Sequence, residues 1–191
     1  MRHKHTTISV LTEDHPGVLS RLSGLVSRRG YNVNSLSVGR THQPGLSRFT
    51  LVVGGDDVPA DQIVKQLEKL VETVEVRSLN RNPFVERWMM LVKVHAPMDV
   101  RPHVLQTAEV FRCRVVDMGE DAVILELTGD QGKMDAFVEA VRPFGILEVA
   151  SSGAVAMERA GFAADSRTSR QEIPVRETKT ESLRHPEPSF A

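Results

Sequence analysis

The sequence predicts an α+β protein made of two consecutive βαββαβ units and a disordered C-terminal tail. Three observations predict it. Apolar residues alternate with period two or recur at helical spacing in the order strand, helix, strand, strand, helix, strand. The same order of elements then runs a second time. Beyond about residue 160 the composition shifts to Arg, Glu, Ser, Thr and Pro, with isolated apolar residues at Phe162, Ile173, Val175, Leu183 and Phe190. The predicted boundaries are 1–80 for the first unit, 84–158 for the second and 160–191 for the tail. A segment of the tail's composition buries too little apolar surface to offset the cost of ordering its backbone.

The first strand covers Thr6 to Thr12, with Ile8 and Val10 on one face. Glu13-Asp14-His15-Pro16-Gly17 is a turn that places Pro16 at the first helical position. Val18, Leu19, Leu22, Leu25 and Val26 form a helical stripe, with Arg28 and Arg29 in the last turn and Gly30 ending it. From Tyr31 to Arg40 the alternation changes phase near Ser35, as one bulged residue would cause. Thr41 to Gly45 reads as a hairpin loop, and Phe49, Leu51 and Val53 mark the next strand. Gly54 to Pro59 is a turn before a helix carrying Ile63, Leu67, Leu70 and Val71, and Val74 and Val76 mark a fourth strand.

The second unit opens with Trp88, Met90, Val92 and Val94 in alternation. Pro102 opens a helix with Val104, Leu105, Ala108 and Phe111. Cys113 and Val115 begin a strand, Gly119 to Asp121 turn, and Val123, Leu125 and Leu127 make the next strand. Gly132 precedes a helix with Met134, Phe137 and Val141 that Pro143 stops, and Ile146 to Met157 forms one long closing strand. The joint between units falls at Asn80 to Phe84. Each unit has the split βαβ, or ferredoxin-like, pattern.

The 191 residues are 40% apolar and 26% charged, ordinary for a soluble globular protein. The 24 Lys and Arg against 25 Asp and Glu give a net charge of -1, which supplies no global attraction to nucleic acid or to an anionic membrane. No apolar run is long enough to span a bilayer, and the N-terminus lacks a secretory core, so a cytoplasmic location is expected. A single cysteine, Cys113, excludes an intramolecular disulfide.

Catalytic signatures are missing: no phosphate loop, His-Glu-x-x-His, Cys-x-x-Cys or Gly-x-Ser-x-Gly occurs. The seven histidines show no metal-ligand spacing, and the expectation is a chain with no catalytic residues, no metal and no cofactor of its own. The informative feature is the turn Asp14-His15-Pro16-Gly17-Val18-Leu19. A helix N-terminus offers free N–H groups and the positive end of a dipole to a carboxylate. Gly17 lets a small anion approach the backbone, and Asp14 can cap the helix or accept from an ammonium group, as suits a zwitterionic amino acid. On the mechanics of the turn alone the plainer reading prevails, that Asp14 or His15 caps and Pro16-Gly17 merely starts a helix. Asn32 and Asn34 are evenly two-sided, able to bind a zwitterion or to satisfy local backbone.

Thr7 to Gly39 resembles the opening of the small, regulatory subunit of acetolactate synthase (acetohydroxyacid synthase), and Ser27 to Leu36, Ser-Arg-Arg-Gly-Tyr-Asn-Val-Asn-Ser-Leu, carries the most specific part. Similarity continues through Gly45 to Thr50, Gln62 to Leu70, Val85 to Val94, Val110 to Asp117 and Gly132 to Phe137. The resemblance implies an N-terminal ACT domain, an amino-acid-sensing module, and a subunit that makes no product itself. It implies activation of a catalytic large subunit holding thiamine diphosphate, magnesium and FAD, and valine feedback inhibition in branched-chain amino acid synthesis. Valine would sit between the ACT domains of a homodimer. One chain would supply Asp14, Pro16, Gly17, Val18 and Leu19, the other Asn32 and Val33, with Val18, Leu19 and Val33 packing the isopropyl group. Where members often carry Asn, this chain carries Asp14. The different-class alternative is a free-standing ACT-domain sensor controlling transcription or another enzyme, for which no helix-turn-helix or basic patch is found.

Overall fold

A computed structural model describes residues 5–54 and 60–162. The predicted disordered tail lies outside the described residues from 163 onward, as do residues 55–59 of the predicted turn. The order is β1 (His5–Glu13), α1 (Val18–Arg28), β2 (Asn32–Arg40), β3 (Leu46–Gly54), α2 (Ala60–Leu67) and β4 (Thr73–Ser78). A short 3-10 turn at Leu79–Arg81 leads to β5 (Phe84–His95), α3 (Arg101–Val110), β6 (Arg114–Met118), β7 (Ala122–Gly129), α4 (Gln131–Val141), β8 (Ile146–Ser151) and β9 (Val155–Glu158). The first sheet has the order β2-β3-β1-β4 and the second β6-β7-β5-β8, with β9 also on β5. All strand pairs are antiparallel. This is the ferredoxin-like pattern, twice. Among the described residues no helix is long and apolar enough to cross a membrane.

Each sheet buries one face under its helices. In the first, Ile8, Val10, Phe49, Leu51 and Val53 meet Val18, Leu22 and Val26 of α1 and Ile63 and Leu67 of α2. Burying each such side chain contributes about 1.5–3 kcal/mol. In the second, Val92, Val94, Val123, Leu125 and Leu127 meet Val104, Ala108, Met134, Phe137 and Val141. Phe137 packs edge-on against Phe111, with centroids 5.3 Å apart. Met90 is buried as expected of a core residue, whereas Trp88 is half-buried and its indole N–H has no partner among the described residues.

The other face of the first sheet is polar yet covered: Thr7, Ser9, Ser35 and Thr50 are all nearly inaccessible. Part of the cover is the segment leading into β9. The Ser35 hydroxyl accepts from the Ala154 amide at 2.9 Å, and the Ser37 hydroxyl donates to the Ala154 carbonyl. Both backbone groups of a fully buried Ala154 are thereby satisfied by serines from the other unit. Arg77 pairs with Glu75 and, across the units, with Glu158.

Four sequence expectations are corrected. The long strand from Ile146 to Met157 is two strands, because Gly153 adopts φ +78 and turns the chain between them. β5 starts at Phe84 rather than Trp88, its first four residues pairing with β9. α2 stops at Leu67, leaving Val71 90% exposed in the following turn. Helix α4 is capped by Asp130, whose carboxylate accepts from the Lys133 amide at 2.9 Å, so Gly132 lies inside the helix. The bulge of β2 falls where the phase change put it, between Val33 and Ser35.

Candidate functional site

The turn between β1 and α1 is built by backbone geometry. Its entry is fixed by the Asp14 amide donating to the Gly45 carbonyl at 2.8 Å. Gly17 is the N-cap residue with φ +88, a left-handed conformation that excludes most side chains. Pro16 therefore precedes the cap and is not the first helical residue. No side chain caps α1, so neither Asp14 nor His15 has that role. His15 instead pairs with Glu13 at 2.9 Å, and Asp14 lies 3.8 Å from the Arg40 guanidinium. The amides of Leu19 and Ser20, too early for helical bonds, find no acceptor among the described residues. They are donors open to an anion.

A residue missed by sequence reading completes this turn. A Cβ on Gly17 would lie 3.3 Å from Arg21 Nη1, so that guanidinium sits beside the turn, held by Glu72 at 2.7 Å. Its position, four residues after Gly17 and one helical turn on, was the available signal. Of the apolar residues, Val18 is 4% exposed and turned into the core, whereas Leu19 is 46% exposed. Leu19, not Val18, offers an accessible apolar side chain here.

Asn32 and Val33 lie elsewhere. Asn32 is level with Gly54 of β3 and through it with His5, the first residue of β1. The turn follows Glu13, the last residue of β1. Eight steps of about 3.4 Å separate the two, roughly 27 Å along the sheet. Asn32 is exposed, with its amide donating to Asn34 Oδ1 at 2.9 Å. Val33 leans partly on the core. One chain therefore brings together Asp14, Pro16, Gly17 and Leu19 with Arg21 and Arg40, but not Asn32 or Val33.

Elsewhere, no group of three or more potential metal ligands gathers among the described residues. Burial pushes the Cys113 thiol up to about 11, against a smaller opposing effect of Lys133. The folded thiol holds its proton above the pH at which an unfolded one loses it, so this group's contribution to stability falls as pH rises from about 9 toward 11. Alkylation by iodoacetamide is expected to show a midpoint near pH 11 in the native protein and about two units lower in denaturant. A native midpoint below pH 9 contradicts this.

Two family models match the chain: an acetohydroxyacid synthase (AHAS) small subunit-like ACT domain over residues 8–75 and the small subunit of acetolactate synthase over residues 87–160. A probable acetolactate synthase small subunit of Archaeoglobus fulgidus is 47% identical over 156 residues, covering 82% of this chain and 97% of that protein. An acetolactate synthase small subunit of Aquifex aeolicus is 45% identical, covering 80% of both. The crystal structure of the Thermotoga maritima small subunit superposes with a TM-score of 0.74 at 38% identity, over 82% of this chain and 98% of that one.

Proposed function

The chain belongs to the acetolactate synthase small-subunit family, and from that premise we propose that it activates a catalytic large subunit and makes it sensitive to valine. Thiamine diphosphate, magnesium and FAD belong to that large subunit in this reading; the small subunit works in the cytoplasm and contributes no reacting group.

The observation that carries the proposal is the uncapped α1 terminus, with two open amides, a glycine cap and Arg21 beside it. A carboxylate of an amino acid fits there, on donors and positive charge already in place. In this reading Asp14 takes the ammonium group, and Arg40, 3.8 Å from it, moderates its repulsion of the carboxylate. Leu19 offers the isopropyl group an apolar wall.

The distance to Asn32 supports a homodimer. β2 is the outer strand of its sheet, free on one side among the described residues. Two copies of β2 pairing antiparallel about Leu36 put Asn32 of one protomer opposite the partner's Arg40, which lies beside Asp14. The polar head of valine is then shared between the turn of one copy and Asn32 and Val33 of the other. Valine acts by binding more tightly to the less activating state, a coupling of about 1–3 kcal/mol.

The test is reconstitution. Full-length chain added to the purified catalytic subunit is expected to raise acetolactate formation, and valine to reverse most of that rise. No stimulation at a tenfold excess of the chain overturns activation. Stimulation that valine leaves untouched overturns the effector reading alone.

A further inference from the structure

Beside the segment that holds Ala154, the polar face of the first sheet and β9 enclose a cleft of about 330 Å³ on the side of the sheet away from α1. Its apolar walls are Leu11 below and Val155 and Met157 above, the last two 58% and 65% exposed. Arg48 stands among them, half-buried, with Nη1 donating to Ser9 Oγ at 2.8 Å. Among the described residues it has no carboxylate partner. Arg77, on the same face of the same sheet, has two. A guanidinium partly removed from water without a counter-charge is costly, and a bound anion removes that cost.

Two further features define the anion. Gly39 lies directly beside Arg48 in the strand register, and a Cβ there would meet nothing within 4 Å, so space is left against the guanidinium. Among the described residues no Asp or Glu lines the cleft. A carboxylate is complemented, and an ammonium group is not. The volume is at the small end for ligand pockets and suits a ligand of few carbons.

We infer that this cleft binds a short aliphatic monocarboxylate lacking an amino group, such as a 2-oxo acid. Its carboxylate takes two parallel hydrogen bonds from Arg48, and its chain lies on Leu11, Val155 and Met157. The site is separate from the α1 turn, and the inference does not rest on the valine reading.

Titration calorimetry of the full chain tests it with 3-methyl-2-oxobutanoate, which has the carbon skeleton of valine without the ammonium group. Saturable binding is expected, weakened at least tenfold by Arg48→Gln and less by Arg48→Lys. Gly39→Val, whose side chain enters open space, is expected to abolish it while the far-ultraviolet spectrum stays that of the parent. Saturating valine and Asn32→Ala leave it unchanged. Absence of saturable binding to the parent, or binding indifferent to both Arg48→Gln and Gly39→Val, overturns the inference. Binding lost with Asn32→Ala but kept with Arg48→Gln places the acid in the effector site, which also overturns it and leaves the proposed function standing.

Discussion

Gly17→Asp and Asn32→Ala are each expected to remove most of the valine response of the reconstituted enzyme while leaving activation close to that of the parent. The two changes act on opposite halves of one site. Asp at position 17 sets a negative charge against the ligand carboxylate. It tolerates the left-handed backbone better than most residues, and its Cβ meets only the flexible end of Arg21 at 3.3 Å. Asn32→Ala deletes hydrogen bonds to a charged group, each contributing about 1.5–3 kcal/mol. At about 1.4 kcal/mol per tenfold, either change raises the valine needed for half-inhibition by ten- to a hundredfold.

Mixing the two variants discriminates further. In a mixed dimer one site combines both defects and the other combines an intact turn with an intact Asn32. Unfolding and refolding the two chains together is therefore expected to restore part of the valine response that neither has alone. A site formed within one chain cannot show this. If the mixture stays as insensitive as its components, the shared site is wrong even though each residue matters.

Element order was legible because it rests on period. The stripe of α1 and the phase change of β2 name their faces and even the bulge. The turn before α1 was legible as a place but not as a mechanism. Gly17 serves first by its positive φ, and the capping expected of Asp14 does not occur because that side chain is turned toward Arg40. Val18 and Leu19 are both apolar in sequence, and only the helix phase, set by its true start at Val18, decides that the first is core and the second surface. Least legible was the contact between units. Ser35 and Ser37 look like residues of a solvated face, yet they hold Ala154, because hydrogen bonds spanning over a hundred residues leave no periodic trace. The same blindness hid Arg48, whose significance lies in the carboxylate it lacks.

That contact between units is what Gly153→Val attacks. Position 153 has φ +78, where a β-branched residue is strained by about 1–2 kcal/mol. A Cβ there would lie 2.7 Å from Ser35 Oγ and 3.4 Å from the Leu36 carbonyl oxygen, so the serine must swing away or the segment must lift. Overpacking of this kind costs about a further 1–3 kcal/mol. If Ser35 moves, the Ala154 amide loses its acceptor in a position with no access to water. The three effects reinforce one another, and the melting temperature is expected to fall by roughly 5–15 °C. Amide exchange should accelerate at Val155 to Glu158, whose ladder on Phe84 to Arg87 depends on the chain direction that Gly153 sets, while the helices of the second unit stay protected. Gly161→Val is the control, since a Cβ there meets nothing within 4 Å, and it should melt with the parent. A Gly153→Val protein that melts within 1 °C of the parent by this comparison, with β9 still protected, means that the two units are not held together through Ala154.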